Sequence, residues 1–126
     1  MPGRLLKCHS ISVDATFEKI QAKCLEKAGA VEEYPWGETV WKVSGKIFAI
    51  WGDDSLGVKS TLEKQAALIM HPHIKVAPYV GKYGWVAITI DDADDLELAF
   101  DLVDESYGMV VAALPKSKRP IEQARD

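Results

Sequence analysis

From Tyr34 to Trp51 the chain reads YPWGETVWKVSGKIFAIW, two runs of alternating apolar and polar positions broken once, at Ser44-Gly45. Glycine takes positive φ without steric cost, so Ser-Gly between apolar runs predicts a tight hairpin turn. A two-residue loop pairs Val43 with Lys46, Trp41 with Phe48 and Thr39 with Ile50. Side chains alternate faces along a strand. Trp41, Val43, Phe48 and Ile50 then form a core face. Val40, Lys42, Ile47, Ala49 and Trp51 form a mixed face, where the Lys42 ammonium must reach water. Lys46 gives the hairpin a basic tip.

Other elements follow from the same patterns. Residues 1–11 are an irregular lead-in. A helix is predicted from an N-cap at Asp14, with Val13, Phe17, Ile20, Cys24 and Ala28 at helical spacing and Gly29 as its stop. Residues 31–37 form an extended connector, because Pro35 keeps Tyr34 out of the α region. After the turn at Gly52–Ser55 comes a third strand, Leu56–Lys59. Ser60 and Glu63 have capping-box spacing for a second helix carrying Leu62, Ala66, Ile69 and Met70 and ending before Pro72. Residues 74–81 form a loop or edge segment around Pro78. Lys82–Ile90 is a strand with Trp85, Ala87 and Thr89 on one face. Asp94 and Glu97 cap a long last helix with Leu96, Phe100, Val103, Tyr107, Val110, Val111 and Leu114 on its apolar face. Gly108 interrupts that helix, which implies close packing there. The order α-β-β-β-α-β-α predicts an α+β fold: one antiparallel sheet with helices packed on one face.

The 126 residues fit one domain (1–126), with a core over about 12–115 and a basic tail at 116–126. No apolar run approaches the roughly 20 residues that span a bilayer, and the N-terminus lacks the apolar length of a secretory signal, so a cytoplasmic protein with no membrane partner is expected. The net charge of −4 disfavours a polyanion partner, but it is unevenly spread. Residues 91–105 hold eight acids and no Lys or Arg, leaving 15 bases against the other 11 acids, a net of +4.

Candidate chemistry is sparse. There is no G-x-S-x-G elbow, P-loop, G-x-G-x-x-G, H-E-x-x-H or C-x-x-C, so no enzyme activity, cofactor or metal is expected. Asp92, Asp94 and Glu97 fail as a calcium loop, because Leu96 falls on a ligand position and Glu97 where glycine belongs. His71-Pro72-His73 could ligate a metal, but no third ligand lies nearby in sequence, and helix-end histidines are the simpler interpretation. Cys8 and Cys24 are expected to be reduced, Cys24 as a small core residue.

An ordered set of segments carries a resemblance: YPWG (34–37), WKVSGKIFA (41–49), Val58-Lys59, PYVGKYGWVAI (78–88) and SYGMVVAALPK (106–116). Over residues 12–119 the chain resembles the MmcQ/YjbR family of small bacterial proteins. The matching positions are Pro35, Trp36, Gly37, Gly45, Lys46, Phe48, Lys59, Gly81, Lys82, Trp85, Ser106 and Tyr107. The resemblance implies an α+β fold, a comparison with double-wing DNA-binding modules, and DNA as a partner.

Two functions follow. In the first, hairpins act as wings and Lys42, Lys46, Lys59 and Lys82 contact phosphates, with Tyr83 stacking or packing beside the backbone; binding is weak and salt-sensitive. In the second, a groove formed by Tyr34, Trp36 and Trp51 takes a protein partner or small ligand without catalysis. The sequence does not set the oligomeric state.

Overall fold

The computed structural model describes residues 13–120, apart from 53 and 79 and the side chains of 13, 14 and 36. Cys8 and the lead-in lie outside these residues. Helix α1 (Val13–Leu25) is followed by strands β1 (Ala30–Glu33), β2 (Thr39–Val43), β3 (Lys46–Gly52) and β4 (Ser55–Val58). Helix α2 (Leu62–Leu68), strands β5 (Ile74–Val76) and β6 (Val86–Thr89) and helix α3 (Ala93–Ala112) complete the chain. The strands form one six-stranded sheet, order β1-β2-β3-β4-β6-β5, with every pair antiparallel. The fold is the expected α+β class, with α1 and α3 on one sheet face. Their contact residues Ile20, Cys24, Leu102 and Val103 join Trp41, Phe48, Leu56 and Ile88 in the main core. Among the described residues, no helix is long and apolar enough to cross a membrane.

The hairpin turn forms where expected: Ser44 has φ 50° and Gly45 φ 81°. Positive φ at both central residues is the geometry that matches strand twist in a two-residue loop. The expected register holds for Val43–Lys46 and Lys42–Ile47, then breaks. Trp41 pairs with Ala49, Val40 with Ile50 and Thr39 with Trp51, so Phe48 is an extra residue in β3. A β-bulge of this kind puts two neighbours on one face and reverses the phase beyond. Phe48 and Ala49 both enter the helix-side core, Ile50 moves to the open face, and Trp51 moves to the helix face against Phe17 (ring centroids 6.1 Å).

Other expectations need correction. β1 overlaps the predicted connector, beginning one residue before it. Its Glu32 accepts hydrogen bonds from Trp41 Nε1 (2.8 Å), from Gln21 Nε2 (3.0 Å) and from the Tyr34 hydroxyl, tying the edge strand to α1 and β2. Asp14 lies inside α1, not at its cap. The α2 N-cap is Thr61, whose Oγ1 accepts from Lys64 N, one residue after the predicted Ser60. None of α2 is buried, and the expected apolar stripe, Leu62, Ala66, Ile69 and Met70, faces out. The α3 N-cap is Asp92, which accepts from Asp95 N, instead of Asp94. Gly108 is exposed with nothing within 4 Å of an added Cβ, so it does not mark close packing. Residues 81–83 form a 3₁₀ turn, not strand; Gly84 ends it with φ 98°, and β6 begins only at Val86.

Candidate functional site

The pairing places the candidate lysines. β2 and β5 end, and β3 and β6 begin, at the same end of the sheet where β4 runs out. The hairpin tip with Lys46, the residue after β4 (Lys59) and the turn before β6 (Lys82) therefore share one end. Lys46 and Lys59 line one open groove of about 560 Å³, with Ile47, Trp85, Val110 and Leu114 as its apolar part. Two polar contacts hold the groove's backbone. Ser106 is fully buried on α3; its Oγ donates to Phe48 O (2.7 Å) and accepts from Lys59 N (2.9 Å). These two backbone groups lie just past the last β3–β4 pair, Ala49–Val58, where the bulge ends the ladder. Gln65 of α2 donates to Gly81 O (2.7 Å) and Trp85 O (2.9 Å), fixing the turn that carries Lys82 and Tyr83.

The tail joins the same end. Ser44 Oγ donates to Lys118 O (2.6 Å), docking the turn Lys116–Lys118 beside the hairpin tip. Arg119 donates to Ala112 O (2.9 Å) and Leu114 O (3.1 Å), covering carbonyls that carry the negative end of the α3 dipole. Lys116, Lys118 and Arg119 thus add positive charge beside Lys46. No local signal links positions 44 and 118, which are 74 residues apart.

The remaining lysine pairs go elsewhere. Lys23 and Lys27 converge on Asp104, Lys64 meets Glu105, and Lys42 pairs with Glu33 (2.9 Å). Burial opposes ionisation of Asp104, but the two ammonium groups outweigh it and hold its carboxyl below the usual range. Lys42 therefore sits on the open sheet face, engaged, and apart from the groove. Lys46, Lys59 and Lys82 form no ion pair among the described residues. Lys82 Nζ lies 5.3 Å from the Tyr83 ring centre, and that ring is exposed.

Two members of the predicted aromatic groove are described. Tyr34 is 65% exposed beside β1, Trp51 is on the helix face, and the Trp36 side chain lies outside the described residues. A different recess occupies the open face, about 270 Å³ between Glu38, Ile50, Gly57, Pro78, Val80 and Trp85. At the opposite end of the sheet, His71 and His73 meet Asp95, the third ligand-type group that local spacing does not reveal.

A one-sheet α+β domain with its helices on one face and a basic hairpin end is the class these features define. The YjbR family profile matches residues 25–109, and the chain belongs to the YjbR family. The fold is similar to the crystal structure of Deinococcus radiodurans protein DR2400, which carries a DUF419 domain, with TM-score 0.71 and 22% identity over 87% of this chain and 94% of that one. No curated protein matches the chain.

Proposed function

We propose that the protein binds nucleic acid weakly through the phosphate backbone, at the basic end of its sheet, in the manner of a winged module. The observation that carries this reading is the groove shared by Lys46 and Lys59, flanked by the docked cations of the tail. Lysines contact phosphates as point charges and carry little sequence information. Four or five such contacts imply a log–log salt slope of about −4 and micromolar or weaker affinity at physiological salt. Lys82 and Tyr83 extend the surface and offer an exposed ring to a base. The test is fluorescence anisotropy with a generic labelled duplex and single strand at low and physiological salt. Binding should weaken steeply with salt and be lost in Lys46→Glu/Lys59→Glu. Absence of binding at low salt would reject the proposal. The open-face recess supports a second reading, a small-ligand site; a ligand that raises the melting temperature of wild type but not of Gly57→Val would favour it.

A further inference from the structure

We propose that His71, His73 and Asp95 form a binding site for a first-row transition metal ion, best suited to Zn²⁺. The site lies at the end of the sheet opposite the basic groove and is independent of the function proposed above. His71-Pro72-His73 connects α2 to β5, and Asp95 stands in the first turn of α3. One ligand atom from each of the three lies within 4.8 Å of the others. Asp95 Oδ2 is 2.7 Å from His73 Nδ1, and Oδ1 is 3.9 Å from His71 Nε2. Two ligands on one Zn²⁺, each at about 2.0–2.2 Å, stand roughly 3–4 Å apart, so the cluster needs only small side-chain adjustments.

The chemistry fits. Two borderline imidazoles and one hard carboxylate make a donor set of the kind used by zinc sites with an open fourth position. Asp95 is 4% exposed at its side chain and is held by a hydrogen bond from Asp91 N (2.9 Å), so one ligand is positioned in advance. A carboxylate so buried needs a cationic or donating partner, and only the two histidines face it within ion-pair reach among the described residues. The histidines are about one-third exposed, which leaves a path for entry and room for their rings to turn. On binding, the metal takes the place of the hydrogen bond between His73 Nδ1 and Asp95 Oδ2, and the proton held there is released to solvent. His71 gives up the hydrogen bond its Nδ1 accepts from His73 N (3.0 Å) and ligates through Nε2. Asp91 Oδ2, 3.4 Å from His73 Nε2, adds negative charge at the rim.

The experiment is calorimetric titration of untagged protein with Zn²⁺, together with the visible absorption of the Co²⁺ form. One ion per chain is expected, with micromolar or tighter affinity, a tetrahedral Co²⁺ spectrum, and a melting temperature that rises by several degrees on adding Zn²⁺. His71→Gln and His73→Gln should each weaken binding at least about ten-fold and abolish the thermal shift. These residues are partly exposed, so both variants should fold, as circular dichroism would verify. Cys8→Ser/His9→Gln should bind as wild type does. Absence of saturable binding, or wild-type affinity in the two histidine variants, would overturn the proposal.

Discussion

The most informative perturbation is Ser106→Ala. Ser106 is the one polar side chain that α3 inserts into the sheet where the β3 bulge leaves two backbone groups without ladder partners. Its hydroxyl serves both, donating to Phe48 O at 2.7 Å and accepting from Lys59 N at 2.9 Å. Alanine fits the space but leaves a buried carbonyl and a part-buried amide unpaired. Each such orphan costs about 1–3 kcal/mol, and the alanine recovers part of that by removing a buried hydroxyl, so the expected loss is about 2–4 kcal/mol. At this chain length about 4 °C accompanies each kcal/mol, so the melting temperature should fall by roughly 8–16 °C. Ser106→Cys, with a weaker donor and acceptor, should fall between. Urea unfolding at equilibrium gives the free energy, provided the m-value is unchanged. A loss under about 1 kcal/mol for Ser106→Ala would refute the bridging role and mean that the bulge satisfies its own backbone.

Other substitutions test separate links. Gly108→Ala should stabilise by about 0.5–1 kcal/mol in thermal melts, because the site is exposed and open in a helix interior. Gly84→Ala should instead destabilise by about 2 kcal/mol or more, since φ is 98° and the new Cβ would lie 2.3 Å from Ser60 O. For Glu32, burial opposes ionisation, but hydrogen bonds from Tyr34, Gln21 and Trp41 outweigh it and hold its carboxyl below the usual range. Its folded pKa is thus below its unfolded one. The stability it adds is complete above about pH 5 and is lost as pH falls through the folded value, so wild type and Glu32→Gln should converge in melts taken toward pH 3. Burial pushes the Cys24 thiol up to about 12, so in a Cys8→Ser background iodoacetamide at pH 8 should label native protein at the unfolding-limited rate and unfolded protein at once.

What the sequence revealed and concealed has a physical pattern. The Ser44-Gly45 turn was legible because its conformation depends on two adjacent residues. The register beyond it was not, because Ile47–Trp51 is an unbroken apolar run with no polar residue to mark the phase, and a bulge at Phe48 fits it as well as strict alternation does. β1 was missed because AVEE is short and half polar. Its stability comes from Glu32 reaching Trp41 and Gln21, contacts that no local propensity contains. The α2 stripe misled for a related reason: the helix is held by the polar contacts of Gln65 and by Leu68, and not by the residues at apolar spacing. Lys46 and Lys59 were readable as cations, but their shared groove depends on the sheet pairing. The tail docks beside them through Lys118, 74 residues from its partner Ser44, and Asp95 meets His73 from 22 residues away.

The same pairing bears on the conflict between a net charge of −4 and the polyanion partner proposed above. The acid block at 91–105 occupies α3 and the turn before it. Along the helix body, Lys23, Lys27 and Lys64 meet Asp104 and Glu105. At the helix start, Asp91, Asp92 and Asp94 lie at the sheet end that also holds Glu38 and Asp54, Asp91 facing His73. Lys46, Lys59, Lys82 and the docked tail gather at the other end. With a Debye length of about 8 Å at physiological salt, charges at one end of a strand are largely screened from those at the other. A phosphate backbone brought to the groove, as proposed, would therefore meet the local positive field with little opposition from the acidic end. Net charge predicts non-specific behaviour only when the charges are mixed over the surface, and in this chain the sheet separates them.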